Sequence, residues 1–162
     1  MELIRAMAEK GNPTAYPFTL PLTRVKSLDF SYSGIKTAVL RCVQKITMDG
    51  TKPLSRIEVA NIAASFQRVA IQHLLQRTLL ALQRKKVHSV ILGGGVSANL
   101  LLRKELRKLL RRMNVPFYFP ANKKLCSDNA AMIAIAAYYR AQKKDFVKDI
   151  ETVDRDPVAR LS

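Results

Sequence analysis

The sequence predicts an α/β fold, rich in helix and with a small sheet, and three observations carry that prediction. The β-branched run Val87-His-Ser-Val-Ile-Leu92 meets Gly93-Gly94-Gly95 and reads as a buried strand. Segments with helical apolar spacing stand on both sides of it, from Ser55 to Lys86 and from Ser97 to Met113. A second short strand, Pro116-Phe-Tyr-Phe119, follows the second helix, so helices and strands alternate. Two strands do not make a stable sheet alone. Either the N-terminal segment contributes strands, or something outside the sequence completes the sheet.

The remaining elements follow in order. Residues Met1 to Lys10 read as a short helix that Gly11-Asn12-Pro13 ends, a flexible residue followed by one that cannot continue the ladder. From Thr14 to Asp29 the chain is punctuated by Pro17 and Pro21, which predicts an extended or irregular segment pinned against a neighbour. Ile35, Val39, Val43 and Ile46 recur at helical spacing, with Ser31 or Ser33 as N-cap, and Met48 to Pro53 is a turn. Ser55-Arg-Ile-Glu58 has the spacing of a capping box and starts the long helix, with Ile57, Ala60, Ala64, Val69, His73 and Leu80 inward. In the next helix Leu102, Leu106, Leu109 and Met113 share one face, and Arg103, Lys104, Arg107, Lys108, Arg111 and Arg112 line the other. Asp128 to Gln142 is a nearly all-apolar helix that belongs at the centre of packing, and the charged tail begins at Lys143. The domain boundaries that follow are residues 1–142 for the folded lobe and 143–162 for the tail.

Composition narrows the function classes. With 162 residues, 48% of them hydrophobic, the chain holds enough apolar surface to exclude intrinsic disorder, and its length suits one domain or one lobe of a larger architecture. The longest apolar stretch, near residues 130–139, is half of the roughly 20 residues a bilayer-spanning helix needs, so no membrane partner is expected. The first ten residues carry two acids and no small-residue cleavage site, unlike a presequence, and a cytoplasmic location is the expectation. Cys42 and Cys126 lie in no CxxC pattern, which predicts reduced thiols rather than a disulfide framework. The net charge of +16 favours a polyanionic partner such as RNA, DNA or anionic lipid; a merely compositional basic bias is the plain alternative. With no Trp and few aromatics, backbone charge rather than base stacking would carry such binding.

Strand, triple glycine and helix start, in Val90-Ile-Leu-Gly-Gly-Gly-Val-Ser-Ala-Asn99, form an arrangement that binds nucleotides. Glycine lets backbone approach a ligand closely, and the orphan amides of a helix start attract phosphate or carboxylate. The spacing matches neither GxGxxG with a downstream acid nor GxxxxGK[ST], and a ligand-free tight turn explains it equally well. Asp128 sits where an apolar helix begins, either as a cap or as a ligand for a hard or borderline metal. One carboxylate is too few to make a metal site. His73 and His88 have neither HxxxH nor HExxH spacing and read as structural histidines. Cys126 has no paired base, so nucleophilic catalysis finds no support. The basic helix face, with Arg84-Lys-Lys86 and Lys123-Lys124, is either a solvated surface or an RNA contact.

Asp29-Phe-Ser-Tyr-Ser-Gly-Ile-Lys-Thr-Ala38, Gly94-Gly-Val-Ser-Ala-Asn99 and Cys126-Ser-Asp-Asn-Ala-Ala-Met-Ile-Ala134 occur in that order over most of the chain. Together they resemble the C-terminal portion of the TsaD family of tRNA N6-adenosine threonylcarbamoyltransferases. The resemblance implies one lobe of the actin- and sugar-kinase-like ATPase fold. It also implies transfer of threonylcarbamoyl from threonylcarbamoyl-adenylate to N6 of adenosine 37 in tRNAs reading ANN codons. By the same resemblance, Gly94 and Gly95 supply the close backbone approach, Asn99 contacts the adenylate, and Asp128 binds a divalent metal. That metal is iron by family, with zinc and magnesium left open. Ser33 and Lys36 belong to a family signature with no role legible in the residues. Implied partners are tRNA, the adenylate, and a separate N-terminal lobe or accessory proteins.

The sequence departs from the family pattern in one large respect. Family members are longer, and their HxxxH metal pair and phosphate loop lie in an N-terminal half that this sequence does not contain. The expectation is therefore activity as part of a complete enzyme. The alternative is a non-catalytic RNA- or protein-binding module of the same fold. Peptidase activity, once ascribed to the family, has no catalytic dyad here.

Overall fold

The computed structural model describes residues 2–23, 27–126, 129–152 and 154, which fall in two compact units, residues 1–126 and 127–162. In the first unit α1 (Glu2–Ala8), α2 (Ser33–Thr47) and α4 (Leu100–Arg112) all pack against the 29-residue α3 (Arg56–Arg84). The capping box forms as its spacing predicts. Ser55 Oγ accepts from the Glu58 N–H at 3.3 Å, and Glu58 Oε2 accepts from the Ser55 N–H at 2.7 Å. The Ser55 hydroxyl, which donates to Glu58 Oε2 at 2.6 Å, and next the Ser55 N–H hold the Glu58 carboxyl below its ordinary value. Gly11 ends α1 where the chain presses onto α3: a Cβ there would lie 2.0 Å from the Ala60 carbonyl oxygen. No other residue fits that approach.

The extended segment after Gly11 is pinned by a row of polar side chains on α3. Asn61 Oδ1 accepts from the Asn12 N–H at 2.7 Å, Ser65 Oγ accepts from the Tyr16 N–H at 3.1 Å, and Arg68 Nε donates to the Pro13 carbonyl at 2.8 Å. Farther along, Arg77 donates to the carbonyls of Leu22 and Ser27, and His73 Nε2 accepts from the Ser31 N–H at 3.2 Å. The segment satisfies only part of its own backbone, as in the Ala15 N–H to Asn12 carbonyl and Phe18 N–H to Tyr16 carbonyl bonds, and α3 supplies further partners. This explains why Ser65, His73 and Arg77 are buried.

The sheet has two strands among the described residues, β1 (Val90–Ile91) and β2 (Phe117–Tyr118). They run parallel with Val90 opposite Phe117 and Ile91 opposite Tyr118, joined through α4 in a βαβ unit. One face joins the core: Leu92 and Phe117 pack with Leu74 and Leu75 against buried Ile71, Leu102 and Leu106. The other face is open, with Ile91 76% and Tyr118 59% exposed. The expected buried strand over Val87–Leu92 is thus shorter than predicted and half exposed, because no described element covers that face. The described parts of residues 12–31 contain no strand either, so the N-terminal segment does not extend the sheet there.

Four further expectations are corrected. α2 has Tyr32 at its N-cap with no side-chain bond, so neither Ser31 nor Ser33 caps it. On α3, Ile57 is 62% exposed in the first turn and Leu80 is only half-buried, whereas Ala60, Ala64, Val69 and His73 are buried. On α4 the buried stripe is Leu102, Leu106 and Leu110, a strict four-residue spacing that leaves Leu109 and Met113 half-buried. In the second unit, α5 (Ala130–Gln142) is capped by Asn129, whose Oδ1 accepts from the Met132 N–H at 3.1 Å. None of its residues is buried, although its composition reads as core. The apolar residues described after it in that unit, Phe146, Val147 and Ile150, are themselves exposed.

Candidate functional site

The glycine turn follows β1 and begins with Gly94 at φ 79° and ψ 169°, a conformation open to glycine and strained for any other residue. A 3₁₀ turn (Gly95–Ala98) comes next, and its first hydrogen bond runs from the Ser97 N–H to the Gly94 carbonyl at 2.9 Å. The Gly95 and Val96 amides therefore precede the ladder, as in any helix start. A Cβ on Gly93, Gly94 or Gly95 would meet no atom within 4 Å. Backbone dihedral explains Gly94. No packing among the described residues explains Gly93 or Gly95.

Asn99 ends that turn and caps α4. Its Oδ1 accepts from the Leu102 N–H at 3.0 Å, and its Nδ2 donates to Gln67 Oε1 on α3 at 3.1 Å. Half-buried, it stands at the rim of a cleft of about 500 Å³ between α3 and α4. Glu9, Gln67, Arg68, Gln72 and Glu105 give that cleft its polar groups beside Asn99, and Ile71 and Leu75 line it with apolar surface. The glycines do not line it; they open to solvent beside it. Asn99 is thus the residue common to turn, helix and cleft.

Three residues at this place were not singled out from sequence. Gln67 holds the Asn99 amide. Ser97 is fully buried, and its hydroxyl makes no hydrogen bond among the described residues. Arg103, expected on the solvated basic face, turns inward. Its guanidinium donates to the Ser97 carbonyl, to the Pro120 carbonyl at 3.1 Å and to Cys126 Sγ at 3.3 Å. The only sequence signal for it was its position, four residues after Asn99 on α4.

The two histidines differ, although both read as structural from spacing: His73 is, and His88 is exposed instead. His73 is fully buried, with Phe30 and Tyr32 each edge-on to its ring at centroid distances of 5.9 Å and 5.5 Å. Burial, and next the charge of Arg77, hold it below its ordinary value. It is neutral and structural, and it anchors the Asp29-Phe-Ser-Tyr-Ser-Gly34 signature to α3. Ser33 and Lys36, in the first turn of α2, are exposed, as is His88. Asp128 lies outside the described residues. Among the described residues no group of three or more His, Cys, Asp or Glu could hold a metal ion, and both cysteines are free thiols.

No helix among the described residues is long and apolar enough to cross a membrane. In class, the chain is an α/β protein in which a strand, a glycine turn and a helix start open backbone amides beside a mixed polar and apolar cleft. A family model described as TsaD, tRNA N6-adenosine threonylcarbamoyltransferase, matches residues 1–135, and the chain belongs to that family. It is 43% identical over 143 residues to a protein of that name from Desulfitobacterium hafniense, covering 88% of this chain and 40% of the relative. A namesake from Moorella thermoacetica is 41% identical over 143 residues, with the same coverage. One from Symbiobacterium thermophilum is 44% identical over 137 residues, covering 84% of this chain and 38% of the relative. The chain therefore spans about 40% of the length of these curated relatives.

Proposed function

We propose that this chain forms the C-terminal lobe of a threonylcarbamoyltransferase of actin- and sugar-kinase-like fold, acting in the cytoplasm as part of a complete enzyme. In that reaction the N6 amine of adenosine 37 in tRNAs reading ANN codons attacks the carbamoyl carbonyl of threonylcarbamoyl-adenylate. A carbon–nitrogen bond forms, the carbon–oxygen bond to the adenylate phosphate breaks, and AMP leaves as the amine loses a proton. This lobe's part is to bind and orient the adenylate. The Gly95 and Val96 amides and the positive end of α4 address the phosphate, and Asn99 at the cleft rim contacts the nucleotide. The observation that supports this reading best is the family match over residues 1–135, which includes an open glycine turn with no packing among the described residues to explain Gly93 and Gly95.

Two further assignments belong to the same reading. Asp128 supplies one ligand to a divalent metal, iron by family resemblance, whose other ligands come from outside the described residues. Such a metal would supply Lewis-acid stabilisation of negative charge on the carbonyl oxygen. The exposed Lys104, Arg107, Lys108, Arg111 and Arg112 on α4 contact tRNA phosphates. Affinity for tRNA should then fall steeply with salt.

Complementation tests the whole. A cell lacking the transferase receives this chain with and without an N-terminal half supplied in trans. Restored threonylcarbamoyl-adenosine in tRNA with both pieces supports the reading. No restoration in either arm, with both pieces expressed and soluble, overturns it.

A further inference from the structure

Of the six cations on α4, Arg103 alone is half-buried, while Lys104, Arg107, Lys108, Arg111 and Arg112 are exposed. Its contacts join two segments that sequence order keeps apart. Through Nε it holds the Ser97 carbonyl, in the turn that follows β1. Through Nη2 it holds the Pro120 carbonyl and Cys126 Sγ, in the segment that follows β2. The guanidinium also lies 4.3 Å from the centroid of the Phe119 ring. Both segments leave the carboxyl ends of parallel strands, the edge where open α/β sheets bind their ligands. A planar fork stacked on a ring fixes the spacing between its acceptors; an ammonium on a flexible stem does not.

We propose that Arg103 is a positioning residue: it clamps the glycine turn against residues 120–126 and thereby sets the turn's affinity for a phosphate-bearing nucleotide. The role rests on the adenylate reading above, but the clamp itself can be observed without ligand. Cys126 is 3% exposed and receives one arm of the fork, so its thiol reports whether the clamp is closed.

The test uses the full 162-residue chain in a Cys42→Ser background, with Arg103→Lys and Arg103→Ala variants. Three quantities are measured: the affinity for a non-hydrolysable threonylcarbamoyl-adenylate analogue by titration calorimetry, the rate at which Ellman's reagent modifies Cys126, and the urea midpoint. Arg103→Lys should bind the analogue roughly tenfold more weakly, the loss expected when a charged, part-buried hydrogen-bond donor is removed. Its Cys126 should react faster, with a urea midpoint close to the parent's. In Arg103→Ala, ethylguanidinium should restore both affinity and thiol protection, and ethylammonium neither. An Arg103→Lys chain that binds as the parent does with Cys126 still protected overturns the proposal, as does rescue by ethylammonium. If the parent chain fails to bind the analogue, the adenylate reading falls by itself. The clamp is then decided by Cys126 and by amide exchange at residues 94–98: parental rates in Arg103→Lys overturn it, and faster rates support it.

Discussion

Asn99 both caps α4 and holds Gln67, so its removal disturbs the fold and the cleft together unless the replacement separates the two. Asn99→Ala loses the bond to the Leu102 N–H, a cap contribution of about 1 kcal/mol. It also leaves Gln67 without its donor, which costs about 1 kcal/mol more, so the variant should lose ~2 kcal/mol of stability. Asn99→Asp keeps an oxygen for the cap and places a negative charge at the start of α4, worth about 0.5 kcal/mol in its favour. Gln67 need only rotate its amide to donate to the new carboxylate. The Asp variant should therefore match the parent to within about 0.5 kcal/mol. At pH 7.5, however, its carboxylate stands where a nucleotide phosphate is proposed to dock, and affinity for an adenylate analogue should drop at least about tenfold. Urea denaturation and titration calorimetry on the parent and both variants give the two axes. An Asp variant as unstable as the Ala variant refutes the cap reasoning. An Asp variant that binds like the parent refutes Asn99 as a substrate contact.

Other expectations follow from single features. Leu110→Ala should cost about 2–5 kcal/mol in urea denaturation, because Leu110 is fully buried, and Leu109→Ala should cost less; equal losses would refute the observed register of α4. Gly94→Ala should destabilise the chain by about 1–3 kcal/mol through its positive φ. Gly95→Ala, with open space at its Cβ, should leave the urea midpoint unchanged while weakening the adenylate analogue. His73 is neutral in the fold and below its ordinary value of 6.5, so its contribution is complete above that pH and is lost as pH falls toward the lowered folded value. The urea midpoint should therefore decline as pH falls below about 6.5, and His73→Gln should remove that decline.

The sequence showed local chemistry well and missing context poorly. The Ser55–Glu58 box, the glycine-rich strand-to-helix turn and the structural role of His73 all depend on neighbours within the chain, and each was readable from residue type and spacing. The inward stripe of α4 was read one position off near its end. Leu109 and Leu110 are both apolar, and only packing against α3 and the sheet chooses between them. The apolar pattern of α5 and of Val87–Leu92 announces burial but does not name the covering surface. Among the described residues α5 is exposed and β1 open on one face. Arg103 and, on α3, Asn61, Ser65, Arg68 and Arg77 were missed for the opposite reason, since a polar or charged residue on a helix reads as solvent-facing until a partner from distant sequence is placed beside it.

That polar row has a kinetic consequence. The bonds from Asn61, Ser65, Arg68, His73 and Arg77 each span 42 to 55 residues of chain. Whichever forms first bears nearly all of the loop-closure entropy, and those after it close only short rings. Any rung can make that first closure, so a lesion at a single one should slow capture of the N-terminal segment less than it weakens the finished fold.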